Sequence, residues 1–430
     1  MNASQKIPHA GLLLLALTLL NVLNFADRFL LISFSNAIIA ELKMTNFQFT
    51  LLTGFIFTLI YTLIGLFTGS LADRVSRPRL IAAGLFLWSA LTAATGQARS
   101  FLHMAAARLF VGVGEACLTP AALSMLADRF PPAHRSMASG VYYLGIPVGI
   151  GGSFIFAGIV GPTLGWRGGF MLLGFVGIAA ALLVLLLMRD PPRGTLDPGL
   201  DTSHPRVGSF GESFRGIAEQ LRTNPAFTLT LLGCIAVTFV QGTTVLDLVW
   251  WVKERGYSEV EAQKLFGLVF LVGGILGAVI GGIGGDWAHA RFPAGRLKFL
   301  AWVFLATIPM LIGYRLVPGH TLAFYGLALS GAIIFMLVFG PAVSTLQELV
   351  PLQHRASAVA VFILCTSFLG SATGNAVVGY LADIYTAAGG AEPITRAILV
   401  SQIGGLLAIP AFFLAARYQS RRSAAGARPG

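Results

Sequence analysis

The sequence predicts an all-α membrane protein of twelve transmembrane helices in two six-helix halves, and three observations carry that prediction. Only 11% of the 430 residues are charged, against about 25% in soluble domains. Apolar runs of about 20 residues, the length one helix needs to cross ~30 Å of hydrocarbon, recur along a chain that is 56% apolar with a mean hydropathy of +0.78. Two loop motifs recur in the same order in both halves. The 51 glycines are spread through the apolar runs, as expected where membrane helices pack closely through small side chains.

The spans follow in order. Apolar runs lie near residues 10–38, 50–71, 79–97, 101–126, 137–160 and 168–188, then near 226–251, 262–285, 297–315, 320–346, 357–384 and 395–416. Between the sets, Arg189 to Asn224 holds four prolines and five charges of each sign but no run long enough to cross. The expected organisation is a first bundle over 1–190, a cytoplasmic linker over 191–224, and a second bundle with a short basic tail over 225–430. The run beginning near Ala10 continues past Asp27 without a small-residue cleavage site, so it reads as a retained helix rather than a signal peptide.

The net charge of +11 does not point to nucleic acid, because the basic residues sit in short clusters between apolar runs, as the positive-inside rule requires. With both termini inside, nineteen Lys and Arg fall on the cytoplasmic side and eight on the other, so both termini are expected in the cytoplasm. Cys117, Cys234 and Cys365 stand singly in apolar runs and read as packing residues.

The halves repeat. Asp128-Arg129-Phe-Pro131-Pro-Ala-His134-Arg135 after span 4 matches Glu348-Leu-Val-Pro351-Leu-Gln-His354-Arg355 after span 10 at a constant offset of 220. Gly69-Ser-Leu-Ala-Asp73 after span 2 corresponds to Gly282-Ile-Gly-Gly-Asp286 after span 8. Such repeats mark secondary transporters, whose substrate site lies near the midplane between the repeats.

Gly69-Ser-Leu-Ala-Asp73-Arg74-Val-Ser-Arg77-Pro-Arg79 resembles the loop motif of the major facilitator superfamily, and Gly165-Trp166-Arg167-Gly-Gly-Phe170 resembles its G-W-R-x-x-F signature. The second-half copy is degraded, with Trp287 where the first half has Arg74. A glycine one turn before an aspartate permits close helix approach, while the carboxylate caps a helix or pairs with an arginine. Gly69, Asp73, Arg74, Arg77, Arg129, Arg135, Asp286 and Arg355 are therefore the expected gating residues. Within the superfamily, Asn24-Phe25-Ala26-Asp27-Arg28 and Arg108-Leu-Phe-Val-Gly112-Val-Gly114-Glu115-Ala116 resemble the Spinster family. That resemblance implies transport of lysolipids or sphingoid phosphates, proton-coupled in some members. Cys117-Leu118-Thr119-Pro120 resembles organic anion:cation symporters, which leaves a symporter or multidrug exporter as the alternative.

An ionisable group at bilayer depth costs at least ~2.5–3.5 kcal/mol, so each is a functional candidate. The set is Asp27, Arg28, Arg108 and Glu115, with Asp247 near the outer end of span 7 as a weaker member. No lysine or histidine lies at mid-span, so a proton relay must run on carboxylates, and Asp27 and Glu115 are the expected coupling residues. Arg108 and Glu115, seven residues apart, share a helix face; Asp27 and Arg28 point about 100° apart, so one faces the cavity while the other reaches a neighbouring helix. Asp247 beside Trp250 and Trp251 reads as a carboxylate snorkelling to the interface.

At the 220 offset Arg108 corresponds to Ala328 and Glu115 to Phe335. A cavity charged on one wall and apolar on the other suits an anionic amphiphile. Its head is expected on Arg108, with Arg28, Glu115 and Tyr143 near it, and its tail on the second half, including Phe335. Gly145-Ile-Pro147-Val-Gly149-Ile-Gly151-Gly152 makes span 5 a kinkable helix. No phosphate-gripping glycine loop or metal-ligand cluster occurs, so neither enzymatic chemistry nor a cofactor is expected beyond a proton gradient. The expected protein is a monomeric multi-pass transporter of a bacterial inner membrane, its partners being the substrate and the bilayer.

Overall fold

The structure, a computed structural model, describes residues 10–193, 210–351 and 354–426. Among them every regular element is helical, and eleven continuous helical stretches are long and apolar enough to cross a membrane. One, His134–Leu187, has 54 residues, about 80 Å at 1.5 Å per residue, more than twice the hydrocarbon core. It holds spans 5 and 6, divided at Gly165, whose φ of 63° and ψ of −179° only glycine adopts without strain. Spans 5 and 6 thus count separately, and the other ten stretches match the expected spans one to one.

The chain divides into two compact units, Met1–Ile38 with Leu59–Arg206, and Ile39–Thr58 with Val207–Gly430. In the first, span 5 packs on span 1 and span 6 on span 3. The contacts rest on glycine: a Cβ on Gly149 of span 5 would lie 2.5 Å from Val22 O of span 1, and one on Gly174 of span 6 would lie 2.6 Å from Ala93 N of span 3. Polar groups stitch spans 1 and 5 together, Asn21 Nδ2 donating to Tyr142 O (2.9 Å) and Ser153 Oγ to Ala26 O (2.7 Å).

In the second unit, span 8 (Glu259–Arg291) lays Gly273, Gly277, Gly281 and Gly285, one every four residues, against span 10 (Leu322–Glu348). Span 11 (Ser357–Ala387) carries a π-helical stretch, Thr366–Ala372, packed on span 7 (Pro225–Arg255) through Gly370 and Gly374. With its amide nitrogen facing two carbonyls, Asn375 donates to Gly242 O (2.6 Å) and Ser371 O (3.1 Å) and accepts from Thr53 Oγ1 (3.3 Å).

The segment Ile39–Thr58 precedes most of the first bundle in the chain yet packs on span 11. The Asp383 carboxylate accepts from Asn46 N (2.9 Å), Phe47 N (2.9 Å) and Asn46 Nδ2 (2.8 Å), capping the start of the helix Asn46–Thr53. The linker also holds more than the sequence suggested: Phe210–Thr223 is a helix, with Ile217 buried and Gly216 against His354. Its apolar residues recur at helical spacing, a pattern overlooked because the segment is too short and charged to cross a membrane.

Candidate functional site

In the first unit, Asn21, Asn24 and Asp27 recur every three residues along the buried face of span 1. Asp27 Oδ2 accepts from Thr92 Oγ1 of span 3 (2.7 Å). Arg28, on the adjoining face, reaches span 4, where Glu115 Oε2 accepts from its Nε (2.9 Å) and Nη2 (2.7 Å). The guanidinium lies over the rings of Phe25 (5.0 Å) and Tyr61 (4.4 Å). Arg108 Nη2 donates to Arg28 O (3.3 Å). The four charged residues predicted from sequence are thus gathered in one bundle, with one difference of pairing. Glu115 answers Arg28 of span 1 rather than completing a surface with Arg108, because a neighbouring helix supplies the closer guanidinium.

Burial separates their roles. Asp27, Arg108 and Glu115 are each 2% exposed, whereas the Arg28 side chain keeps 20%. Asp27 Oδ1 and Glu115 Oε1 are buried without a hydrogen-bond partner among the described residues. Glu115 ends the helix Phe101–Glu115; the next begins at Leu118. Pro120 explains the interruption, since a proline cannot bond back to the carbonyl four residues earlier, here that of Ala116. Thr68 Oγ1 donates to that oxygen (3.0 Å). The site therefore sits at an irregular turn, which membrane helices tolerate only where protein buries it. Thr68 and Thr92 were not among the predicted residues, though hydroxyls on apolar helices were a readable signal. Tyr143 is 43% exposed and stacks edge-on with Tyr142.

Among the predicted gating residues, Arg77, Arg135, Asp286 and Arg355 make bracing contacts, each within one unit. Arg77 is wholly buried; its Nε donates to Asp190 Oδ1 (2.7 Å), its Nη2 to Pro191 O (2.6 Å), its Nη1 to Ser124 Oγ (3.0 Å) and to Asp128. In the second unit Arg296 bridges Asp286 (2.9 Å) and Glu348. Asp128 and Glu348 are repeat-related at 220, and Arg77 and Arg296 stand at the start of the third span of their respective halves. The turns after spans 4 and 10 also repeat, His134 N donating to Pro131 O (2.8 Å) and His354 N to Pro351 O (2.9 Å). Arg135 Nε donates to Phe130 O and Arg355 Nε to Gln347 O, both at 3.0 Å. Arg74 is exposed and Arg129 partly buried. Gly69 and the Asp73 side chain lie outside the described residues.

In the second unit the reading of Asp247 is corrected. It does not snorkel: it is 4% exposed and paired with Arg315 of span 9 at 2.8 Å. Trp250 and Trp251 are fully buried rather than interfacial. Trp250 lies beneath Arg255 and Arg315 (4.6 and 4.5 Å) and donates to Thr395 Oγ1; Trp251 donates to Tyr314 OH. An aromatic pair that can find both hydrogen-bond and cation partners inside the bundle has no need of the interface. Phe335 lines a cavity of this unit and meets Phe270 edge-on at 5.6 Å.

Comparison with known proteins accords with this geometry. Residues 17–375 match the family model of the Major Facilitator Superfamily. The chain is 30% identical over 385 residues to an MFS-type efflux pump of Mycolicibacterium smegmatis, covering 89% of this chain and 87% of that one. It is 27% identical over 325 residues to the probable sphingolipid transporter spinster homolog 2 of Arabidopsis thaliana, covering 73% and 66%. A crystal structure of a bacterial homologue of the human lysosomal transporter Spinster, inward-facing and unoccupied, superposes with a TM-score of 0.86 at 28% identity, covering 97% of this chain and 99% of that one. The chain belongs to the major facilitator superfamily and is a multi-pass membrane transporter with Spinster proteins among its relatives.

Proposed function

We propose that this transporter moves an anionic amphiphile, of lysophospholipid or sphingoid phosphate type, by alternating access with proton coupling. The observation that carries the reading is the first-unit cluster: two guanidinium groups and two carboxylates, with Asp27 Oδ1 and Glu115 Oε1 lacking partners among the described residues. A structural ion-pair network would be expensive to keep in lipid and would satisfy its own oxygens. An anionic head competes with Glu115 for Arg28, the most exposed member, and draws on Arg108 behind it. The displaced carboxylate is neutralised by a proton, so head-group and proton occupancy become linked, and the linkage is reciprocal for binding. The sphingolipid assignment of the Arabidopsis relative supports the lipid class. In this proposal the protein works as a monomer in a bacterial inner membrane, both termini cytoplasmic.

A second reading, export of small organic ions, draws on the mycobacterial efflux pump. Uptake of labelled lysophospholipid into proteoliposomes with an imposed pH gradient separates the two. Lipid transport should need the gradient and fall at least about tenfold in Arg108→Ala, a loss of about 1.4 kcal/mol of binding or more. Asp27→Asn should abolish gradient-driven movement. Full gradient-dependent transport by Asp27→Asn would remove Asp27 from the mechanism, and inhibition by tail-less organic anions without any lipid movement would favour the second reading.

A further inference from the structure

The pattern Gly69-Ser-Leu-Ala-Asp73 at the end of span 2 recurs as Gly379-Tyr-Leu-Ala-Asp383 at the end of span 11, identical at four of five positions. The copy from Gly282 to Asp286 keeps only the glycine and the aspartate. Span 2 ends on the side of the termini and span 11 on the opposite side. With both termini in the cytoplasm, as proposed above, Gly379–Asp383 lies at the outer face. Ile384 follows it where Arg74 follows Asp73, a difference in keeping with the positive-inside rule.

In the folded chain this copy closes a tight antiparallel contact. Asn375, Gly379 and Asp383 recur every four residues on one face of span 11, and Gly54, Thr50 and Asn46 recur in the same way on span 2. A Cβ on Gly379 would stand 2.2 Å from Thr50 Oγ1 and 3.0 Å from Asn46 O, and one on Gly54 would stand 3.2 Å from Asn375 Cβ. Phe47 meets Tyr380 edge-on at 5.9 Å, and Asp383 accepts the first two amides of the helix Asn46–Thr53. That helix also has a cap of its own: Gln48 N donates to Thr45 Oγ1 and Thr45 N to Gln48 Oε1, both at 3.1 Å. Asp383 is an additional cap that the helix can lose without unravelling, since water at the outer face can take the two freed amides. Helical geometry breaks at Gly54 (φ −99°, ψ −100°), and from Leu59 onward span 2 belongs to the first unit.

We propose that Gly379 and Asp383 form an outer latch, with Gly54 as its hinge. While Asp383 caps the helix Asn46–Thr53, the outer end of span 2 stays on span 11 and the transport path is shut to the outside. Release lets the segment above Gly54 rejoin the rest of its own bundle, and the path opens. A carboxylate suits a contact that must both hold and let go. It gains from the aligned peptide dipoles at a helix N-terminus, and Asp383, being half-buried, recovers its hydration on release. The proposal rests on the alternating-access reading but on nothing in it about substrate or proton.

Spin-label distances in the full-length protein test it, in a chain whose Cys117, Cys234 and Cys365 are replaced by alanine. Labels on Ala40→Cys and Ala388→Cys, both exposed, report the outer latch; labels on Ser136→Cys and Ala290→Cys, also exposed, report the cytoplasmic side. Asp383→Asn removes the charge and puts an amide donor against backbone donors. It should raise the ratio of long to short outer distances at least about tenfold, the worth of one charge-assisted hydrogen bond. Gly379→Ala guards against misfolding of that variant: it leaves the carboxylate in place, suits a helix better than glycine, and should shift the ratio the same way by displacing Thr50. An unchanged outer ratio in both variants would overturn the latch. If the cytoplasmic pair nonetheless shows two populations, the latch falls and alternating access stands; a single population at both pairs in every variant would remove both.

Discussion

Thr68 has one task that can be isolated. Its hydroxyl satisfies the Ala116 carbonyl that Pro120 leaves without an amide partner. In Thr68→Val the shape stays and the donor goes, leaving a buried carbonyl at a cost of about 1–3 kcal/mol. Thermal unfolding of the purified variant should shift down accordingly; an unchanged midpoint would mean that water reaches the turn. The same scale shows what the sequence can tell and what it cannot. Asp27, Arg28, Arg108 and Glu115 were legible because a charge in an apolar run is conspicuous whatever surrounds it. The Arg28–Glu115 pair was not, since helical spacing places residues on one helix and says nothing of which neighbour answers them. Asp247 lost its partner in reading for a different reason: Arg315 ends its span and was counted with the loops, although a carboxylate and a guanidinium at the same end of two spans was a readable coincidence.

Helices in this protein pair through backbone contact. A Cβ on Gly277 would stand 2.1 Å from Ile333 O, whereas one on Gly282 would meet nothing within 4 Å. Gly277→Ala should therefore force spans 8 and 10 apart and reduce the yield of monodisperse protein on size-exclusion chromatography. Gly282→Ala should leave it unchanged or gain the roughly 0.5–1 kcal/mol of helix propensity that alanine holds over glycine. Equal behaviour of the two would mean that the stripe carries no packing. The repeat-related braces differ in the same decisive way, by burial. Arg77 is wholly buried, while its partners Asp128 and Asp190 have side chains 14% and 28% exposed beside Pro191 O, so Arg77→Ala abandons partly buried acceptors and should cost about 1–3 kcal/mol. Arg296 binds Asp286 and Glu348, whose side chains are 76% and 35% exposed, so Arg296→Ala should cost less than about 1 kcal/mol. Thermal unfolding of the two variants side by side reads the difference, and a larger loss in Arg296→Ala would contradict it. Motif spacing brought attention to Arg77, but only the folded chain shows that its partners are Asp128 and Asp190, and that Arg296 mirrors it at a position shifted by one residue from the repeat offset.

At the scale of the whole molecule, the span count and the 6+6 repeat were legible because both depend on period and length, which the bilayer fixes from outside the protein. The allotment of Ile39–Thr58 was not, because chain order alone assigned it to the first bundle while its partners are Asp383, Gly379 and Phe368. The apolar cavity of the second unit was equally invisible: its walls read as ordinary packing until the helices were in place. Asn46 and Asp383 stand 337 residues apart, a separation that bears on how the protein is made. A ribosome delivers Asn46 early and Asp383 near the end, so the cap of the second helix stays open through most of synthesis, a long-range closure of the kind that slows folding. Chains arrested before span 11 should be cut by added protease in the loop at Lys43–Thr45, and chains that have released Asp383 should resist. Protection that appears before span 11 has emerged would show that another contact holds the segment. On this view one of the latest bonds to form in the second unit belongs to one of the first residues translated, and the newborn protein spends its assembly with one helix of its final architecture waiting in the membrane for its partner.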